Sequence, residues 1–170
     1  MNKYLSIITL NVNGLNAPIK RHRIAEWVRK HDPDICCLQE THLRTEDLHR
    51  LKVKGWRQIS QANGQEKTSG VAILISDKID FKRRAIKRDP EGHFIILKGR
   101  IHQEDINIIN IYAPKIGAPK YIKKILEDFK RDIDSNTIIV GILTPPIVKH
   151  GQIFQTKYQQ RYCGIEQCPR

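Results

Sequence analysis

Long apolar runs are absent from this 170-residue chain, and none approaches the roughly 20 residues of a membrane-spanning helix. The N-terminus, M-N-K-Y-L-S-I, lacks the apolar segment and small-residue cleavage site of a secretory signal peptide. We therefore expect an intracellular protein, nuclear or cytoplasmic, that is neither secreted nor membrane-bound. Internal repeats and low-complexity linkers are also missing, so the length indicates a single domain.

Cysteine is scarce and poorly placed for binding a metal. Cys36 and Cys37 are adjacent inside a strand pattern, so they cannot readily bridge each other and are expected in the core. Cys163 and Cys168 lack C-x-x-C spacing and have no clustered histidines. We expect neither a zinc site nor a small-molecule cofactor.

Acidic residues are outnumbered, with 18 Asp and Glu against 30 Lys and Arg, which gives a net charge of +12. Such a balance favours a polyanionic partner, because neutralised phosphates release counterions. A solvated basic surface is the alternative, and charge alone does not separate an enzyme from a passive binder. We expect DNA as the partner. The positive clusters predicted to lie beside the site are Lys20, Arg21 and Arg23; Lys52, Lys54 and Arg57; and residues 82–88.

Apolar patterns predict an alternation of strands and helices. Helical spacing after Pro18 predicts a helix over residues 18–31, and Pro119 opens a second helix. A short amphipathic segment is expected at 46–53, and the basic segment 78–88 is expected to be a connection. Hairpin turns and helical crossovers together predict an α/β sandwich with a mixed sheet. Strands are predicted at residues 7–14, 34–40, 56–60, 70–76, 93–101, 106–112 and 137–140.

Polar side chains stand at the ends of three predicted strands. Asn11 and Asn13 lie at the C-terminal end of the first strand, Gln39 and Glu40 end the second, and Tyr112 ends a later one. Amides and a phenol can donate to phosphate oxygens, and a carboxylate is a ligand that Mg²⁺ accepts. Taken singly, each has a simpler explanation as a turn, a solvated charge or core packing. Together they indicate a common site.

Several separated motifs resemble the endonuclease domain of LINE-type non-LTR retrotransposon proteins. They are T-L-N-V-N-G-L-N, C-C-L-Q-E-T-H, L-K-V-K-G-W, S-G-V-A-I-L-I-S and N-I-Y-A-P. That domain belongs to the exonuclease III and apurinic endonuclease group of the endonuclease/exonuclease/phosphatase superfamily. The resemblance implies a four-layered, DNase I-like α/β sandwich with mixed β-sheets, here incomplete. It also implies a magnesium ion and single-strand cleavage of duplex DNA.

The resemblance also implies roles for individual residues. Asn11 would hold the phosphate, Glu40 would ligate the metal, and Tyr112 would hydrogen-bond the scissile phosphate. Asn13 occupies a position that is Asp in the apurinic endonucleases. The residues expected to contact nucleic acid are Lys20, Arg21, Arg23, Thr41 and His42.

The chain departs from the family after Gly141. The family carries G-D-F-N-T, whereas this chain has Gly-Ile-Leu-Thr-Pro, so Ile142 replaces the catalytic aspartate and Thr144 the asparagine. The family's terminal S-D-H motif is also absent. We therefore expect a catalytically inactive copy, with a family-like part at residues 1–144 and an irregular tail at 145–170.

The tail suggests a codon-level hypothesis. Gly-Ile-Leu-Thr can be encoded GGA-ATT-TTA-ACA, and one added G after the first codon turns it into Gly-Asp-Phe-Asn. A one-base shift of residues 150–170 likewise resembles the family's continuation better than the tail does. The tail is thus interpreted as an out-of-frame translation, which sequencing of the locus would test. With strands missing, the apolar faces of residues 70–76 and 106–112 are expected to lose cover, which would leave a marginally stable domain.

Two alternatives remain open. One is an active magnesium-dependent DNA endonuclease or exonuclease III-like apurinic-site phosphodiesterase. The other is a non-catalytic basic DNA-binding module that uses the helix at 18–31.

Overall fold

The computed structural model describes residues 5–65, 68–113 and 116–142. Predictions that concern Thr144 and the tail at 145–170 lie outside the described residues. The elements, in chain order, are β1 (Ile7–Asn11), α1 (Pro18–His31), β2 (Ile35–Gln39), a 3₁₀ helix (Thr45–Arg50), β3 (Gln58–Ala62), β4 (Val71–Ile75), β5 (Phe81–Arg88), β6 (Phe94–Ile101), β7 (Glu104–Tyr112), α2 (Ala118–Asp128) and β8 (Thr137–Ile142).

The strands form two four-stranded sheets. The first sheet has the order β1-β2-β4-β3, with β1 and β2 parallel and the other pairs antiparallel. The second sheet has the order β5-β6-β7-β8, with β7 and β8 parallel and the other pairs antiparallel. Both sheets are therefore mixed, and in each a parallel pair ends side by side at one edge.

The sheets pack face to face and each carries a helix on its outer face. An apolar core that includes Ile73, Ile75, Leu97 and Ile108 lies between them. On the outside of the first sheet, α1 and the 3₁₀ helix region join residues of β2 and β4 in a second cluster. On the outside of the second sheet, α2 packs through Ile125 with residues of β6 and β7. The layer order helix, sheet, sheet, helix confirms the predicted four-layered α/β sandwich.

The expectation that the apolar faces of residues 70–76 and 106–112 lose cover was wrong. Val71, Ile73 and Ile75 are at most 1% exposed, and Ile106 and Ile108 at most 6%. These strands cover each other across the sandwich, because four strands of the second sheet are present.

The basic segment predicted as a connection is largely the strand β5. Its five cationic side chains are exposed, and it pairs with β6 at the edge of the second sheet, with a register shift between Arg83 and Ala85. Charged residues on an edge strand replace the apolar residues by which a strand is recognised in a sequence. They also disfavour pairing of this edge with a strand of another molecule. The turn between β6 and β7 contains only His102 and Gln103, both with positive φ (48° and 72°), whereas the predicted strands at 93–101 and 106–112 left residues 102–105 between them.

α1 has the bounds predicted from the sequence. Its buried residues Ala25 and Val28 face the first sheet's outer cluster, together with partly buried Ile24 and Trp27. Among the helices in the described ranges, none combines the length and apolar character needed to cross a membrane.

Candidate functional site

The segments that follow β1 and β2 are held together by their backbones. N–H groups of residues 12, 14 and 15 donate to the carbonyls of residues 39, 40 and 41, at 3.0, 2.6 and 2.8 Å. The side chain of Asn11 turns back to accept the Asn13 N–H at 3.0 Å. Asn13 and Gly14 then take positive φ (45° and 89°), which turns the chain toward α1. The two strand ends predicted to form a site are therefore neighbours.

Glu40 and Tyr112 meet across the two sheets. Glu40 follows β2, Tyr112 is the last residue of β7, and they are 8% and 5% exposed. The Glu40 carboxylate lies within interaction range of the Tyr112 hydroxyl. Burial raises the pKa of Tyr112 well above its usual value, and the acceptor oxygens and negative charge of Glu40 raise this pKa further. His42 Nε2 lies 3.8 Å from Glu40 Oε2 on the other side.

Position 142 lies beside this pair. β7 and β8 run parallel, and Tyr112 is in register with Ile142 at their ends. Ile142, which the resemblance predicts in place of the family's catalytic aspartate, is therefore next to Tyr112 along the edge of the second sheet. Thr144 lies outside the described residues.

Two of the predicted DNA-contacting cations brace the loop between β1 and α1. Lys20 Nζ donates to the Asn13 carbonyl at 2.6 Å, and Arg21 Nη1 donates to the carbonyls of Leu15 and Asn16 at 2.9 and 2.7 Å. Arg23, one turn further along α1, is exposed. Lys20 and Arg21 thus shape the loop that carries Asn13.

The interpretation of Thr41 as a direct nucleic-acid contact is not compatible with its position. Its side chain is fully buried, and its Oγ1 has no hydrogen-bond partner among the described residues. A Cβ built on Gly70 would lie 2.2 Å from that oxygen, so the glycine permits this close packing. His42 is only partly buried, and its carbonyl accepts a hydrogen bond from Asn16 Nδ2 at 3.0 Å.

The prediction that all three basic clusters lie beside the site was wrong. Arg57 precedes β3 and pairs with Asp77 at 3.1 Å, at the end of the first sheet opposite Glu40. Lys82 is the second residue of β5, at the corresponding far end of the second sheet, and Arg88 ends this strand on the near side. The sequence spacing could not show this, because antiparallel strands carry neighbouring positions to opposite ends of a sheet.

A buried network of polar side chains lies beneath the site, and Gln39 is the one member that the sequence analysis had singled out. Gln39 Nε2 donates to Thr9 Oγ1 and to Asn110 Oδ1, both at 2.8 Å. Asn110 Nδ2 donates to the carbonyls of Leu38 and Ala72, both at 3.0 Å. The available signal was an asparagine within the apolar run of β7, N-I-I-N-I-Y.

The side chains of this site could bind magnesium through a single carboxylate. Within the described ranges no group of three or more His, Cys, Asp or Glu side chains could hold a metal ion. Mg²⁺ does not need such a group, because it is commonly bound by one or two carboxylates, with water and substrate phosphate as the other ligands. Glu40 is such a carboxylate, and a Tyr hydroxyl and amide groups lie in the same region.

Comparison with known sequences agrees with this geometry. The sequence profile described as the Endonuclease/Exonuclease/phosphatase family matches residues 8–147. Over 140 residues the chain is 29% identical to the Xenopus laevis "Transposon TX1 uncharacterized 149 kDa protein", covering 81% of this chain and 11% of that protein. Over 159 residues it is 26% identical to the Danio rerio "DNA repair nuclease APEX1", covering 88% and 48%. A Dictyostelium discoideum DNA-(apurinic or apyrimidinic site) endonuclease is 29% identical over 118 residues, covering 67% and 31%.

Solved structures show the same fold at low sequence identity. A truncated Caenorhabditis elegans TDP2 superposes with a TM-score of 0.62 at 19% identity, covering 82% of this chain and 62% of that one. Danio rerio TDP2 in complex with a single-strand DNA product gives 0.61 at 15% identity, covering 82% and 59%. The chain spans less than half the length of each curated relative named above. Because the family profile covers most of the sequence and the sandwich matches these structures, the chain belongs to the endonuclease/exonuclease/phosphatase family.

Proposed function

We propose that this chain derives from a LINE-type retrotransposon endonuclease that nicks duplex DNA with magnesium, and that this copy binds DNA without cleaving it. The observation that carries the proposal is the contact between Glu40 and Tyr112 beside position 142. Glu40 and Tyr112 would form the metal-binding and phosphate-binding side of a nuclease site, whereas Ile142 would occupy the position of the proton acceptor.

Each retained residue has a role that its surroundings support. Glu40 would hold the magnesium ion, since it is a carboxylate beside a hydroxyl and close to amide groups. The ion, when bound, supplies Lewis-acid stabilisation of charge on the phosphoryl oxygens. Tyr112 can turn its hydroxyl from Glu40 to a phosphate oxygen, and its raised pKa keeps it protonated as a donor. Asn11 and Asn13, held at the end of β1, would contribute amide contacts to the same phosphate.

The missing residues argue against turnover. Isoleucine has no atom that can accept a proton from an attacking water, and Thr144 is shorter than the amide of the family motif. Loss of members of a catalytic unit typically lowers the rate by several powers of ten, and further losses add little. We take residues 1–144 as the part that retains the family's design.

Nicking of supercoiled plasmid in the presence of Mg²⁺ tests the proposed inactivity. We expect no relaxed product above the protein-free background, while an active apurinic endonuclease serves as the positive control. Glu40→Gln would remove the metal ligand, and Glu26→Gln on the exposed face of α1 is its matched control. If the chain nicks DNA, and Glu40→Gln abolishes nicking while Glu26→Gln does not, the active-enzyme alternative is correct.

DNA binding is supported by the net charge of +12 and by the exposed cation Arg23 near the β1 end. Fluorescence anisotropy with a duplex should show an affinity that falls steeply with salt. Replacing Lys20 and Arg23 with serine should lower the slope of log K against log salt by about 1 to 2.

The matched control for that experiment removes the same charge at the other end of α1, through Arg29→Ser and Lys30→Ser, both exposed. A smaller effect of this control locates binding at the strand ends. Equal effects of the two double variants would instead favour the second alternative, in which the basic helix α1 binds DNA without using the site.

A further inference from the structure

The polar network under the site joins four strands of the two sheets. Asn110 lies on β7 of the second sheet, and its partners lie on β2 and β4 of the first sheet; Gln39 continues the network to Thr9 on β1. Asn110 is fully buried and Gln39 is 1% exposed. Polar groups are unusual in the apolar space between two sheets, because burying them is unfavourable unless every bond is made.

The geometry of Asn110 permits one orientation of its amide. Both Nδ2 hydrogens go to backbone carbonyls, of Leu38 and Ala72, and Oδ1 accepts from Gln39. A flipped amide would place its oxygen against two carbonyl oxygens and its hydrogens against an NH₂ group. The orientation is therefore determined by its partners, and three directional bonds locate β7 relative to β2 and β4.

The network lies directly below the pair that forms the site. Gln39 is followed by Glu40, and Asn110 precedes Tyr112 by two residues. Side chains two apart on a strand share a face, so Asn110 and Tyr112 both point into the space between the sheets. A shift of β7 relative to β2 would therefore move Tyr112 relative to Glu40 by a similar amount.

Apolar packing alone would fix the position of β7 relative to β2 less tightly. Hydrophobic contacts are non-directional, whereas hydrogen bonds weaken steeply when misaligned. Other bonds between the sheets lie at the β3 and β5 edge and in nearby turns. Examples are Arg88 Nε to the Gln61 carbonyl at 2.9 Å and Ser69 Oγ to the Glu91 carbonyl at 2.6 Å.

We propose that Asn110 is a positioning residue, which uses its bonds to Gln39 and to the first sheet's carbonyls to hold Tyr112 against Glu40. The proposal rests on the proposed function only in taking Glu40 and Tyr112 as the site. The competing explanation is that the network contributes stability alone, in which case its loss would leave the local surroundings of Tyr112 unchanged.

¹⁹F NMR of protein labelled with 3-fluorotyrosine separates these explanations without metal or DNA. Tyr112→Phe assigns the Tyr112 resonance, and Glu40→Gln provides the resonance position for a Tyr112 that has lost its carboxylate partner. We expect Asn110→Leu to move the Tyr112 resonance at least halfway to that reference, with the other tyrosine resonances unchanged.

Asn107→Leu is the matched control on the same strand. The Asn107 amide bonds to groups of residues 132, 134 and 137, which belong to the second sheet and its preceding loop. Thr9→Val removes one bond of Gln39 from the far side of the network, without altering a neighbour of Tyr112 in sequence. It should shift the resonance in the same direction by a smaller amount, and it decides the question if Asn110→Leu does not fold.

The proposal is overturned if neither Asn110→Leu nor Thr9→Val shifts the Tyr112 resonance, or if Asn107→Leu shifts it equally. Duplex binding, measured by the anisotropy experiment described above, provides a separate readout. If the unsubstituted chain shows none, the proposed function fails, while the ¹⁹F result still decides the positioning role.

Discussion

Loss of the Asn110 side chain should lower the free energy of unfolding more than any other single amide loss described above. Asn110→Leu keeps a similar volume but leaves two carbonyls and one Gln39 N–H without their partner. An unsatisfied buried polar group costs about 1–3 kcal/mol. Because Gln39 retains Thr9, and a backbone carbonyl has a second lone pair, we expect a total loss of about 2–4 kcal/mol.

Urea denaturation, followed by the fluorescence of buried Trp56 and by circular dichroism, measures this change. The midpoint should fall with an unchanged slope, as expected when only stability changes. Asn107→Leu is the control, since the Asn107 bonds are long, at 3.3–3.4 Å, and its loss should cost about 1 kcal/mol or less.

A double variant, Asn110→Leu with Gln39→Leu, tests whether the two amides act as one unit. Their effects should be non-additive by about 0.5–3 kcal/mol, because removing both leaves fewer unpaired groups than the single losses imply. A loss below about 0.5 kcal/mol for Asn110→Leu, typical of a surface substitution, would refute the reasoning.

Three further outcomes follow from individual groups. Because the pKa of Tyr112 is raised in the folded protein, its contribution to stability is fully present below the unfolded tyrosine pKa of about 10 and is lost as the pH rises above that pKa. Tyr112→Phe lacks this contribution, so its urea midpoint should fall less between pH 9 and 11 than the midpoint of the unsubstituted protein. Cys36 and Cys37 are fully buried, and burial raises the pKa of the Cys36 thiol to about 12 and also raises the pKa of the Cys37 thiol. Mass-spectrometric mapping should therefore find both cysteines unlabelled by a thiol reagent until the protein unfolds. Gly70→Ala should lower the free energy of unfolding by about 1–3 kcal/mol, because φ of Gly70 is +119° and the added methyl group would clash with Thr41 Oγ1. Thermal melts of a double variant that also carries Thr41→Ala should show that only part of this stability is recovered, because the strained backbone remains.

Local periodicity made most elements predictable. Proline at its first position and apolar residues at helical spacing define α1, and the prediction over residues 18–31 matches its bounds. Continuous apolar runs likewise predicted β1, β2 and β4, each within two or three residues at its ends. The exception was β5, whose exposed charges remove the alternation by which a half-buried strand is recognised.

The candidate site, like the fold, was only partly predictable from the sequence. Polar residues at the ends of apolar strands, Asn11 and Glu40 among them, were predicted to share a site, and the parallel pairing of β1 with β2 brings these two strand ends side by side. The sequence could not show that Lys20 and Arg21 brace backbone carbonyls or that Thr41 is buried. Those facts depend on the path of the loops between strands.

By itself, the sequence determined the order of the elements, the family motifs and the isoleucine at position 142, because each depends on residues close together in the chain. Only the tertiary structure decided which polar groups meet. Glu40 is 72 residues from Tyr112, and Leu38 accepts a hydrogen bond from Asn110 at a separation of 72 residues. Their contacts exist because two sheets pack face to face in one register, and no local pattern specifies that register.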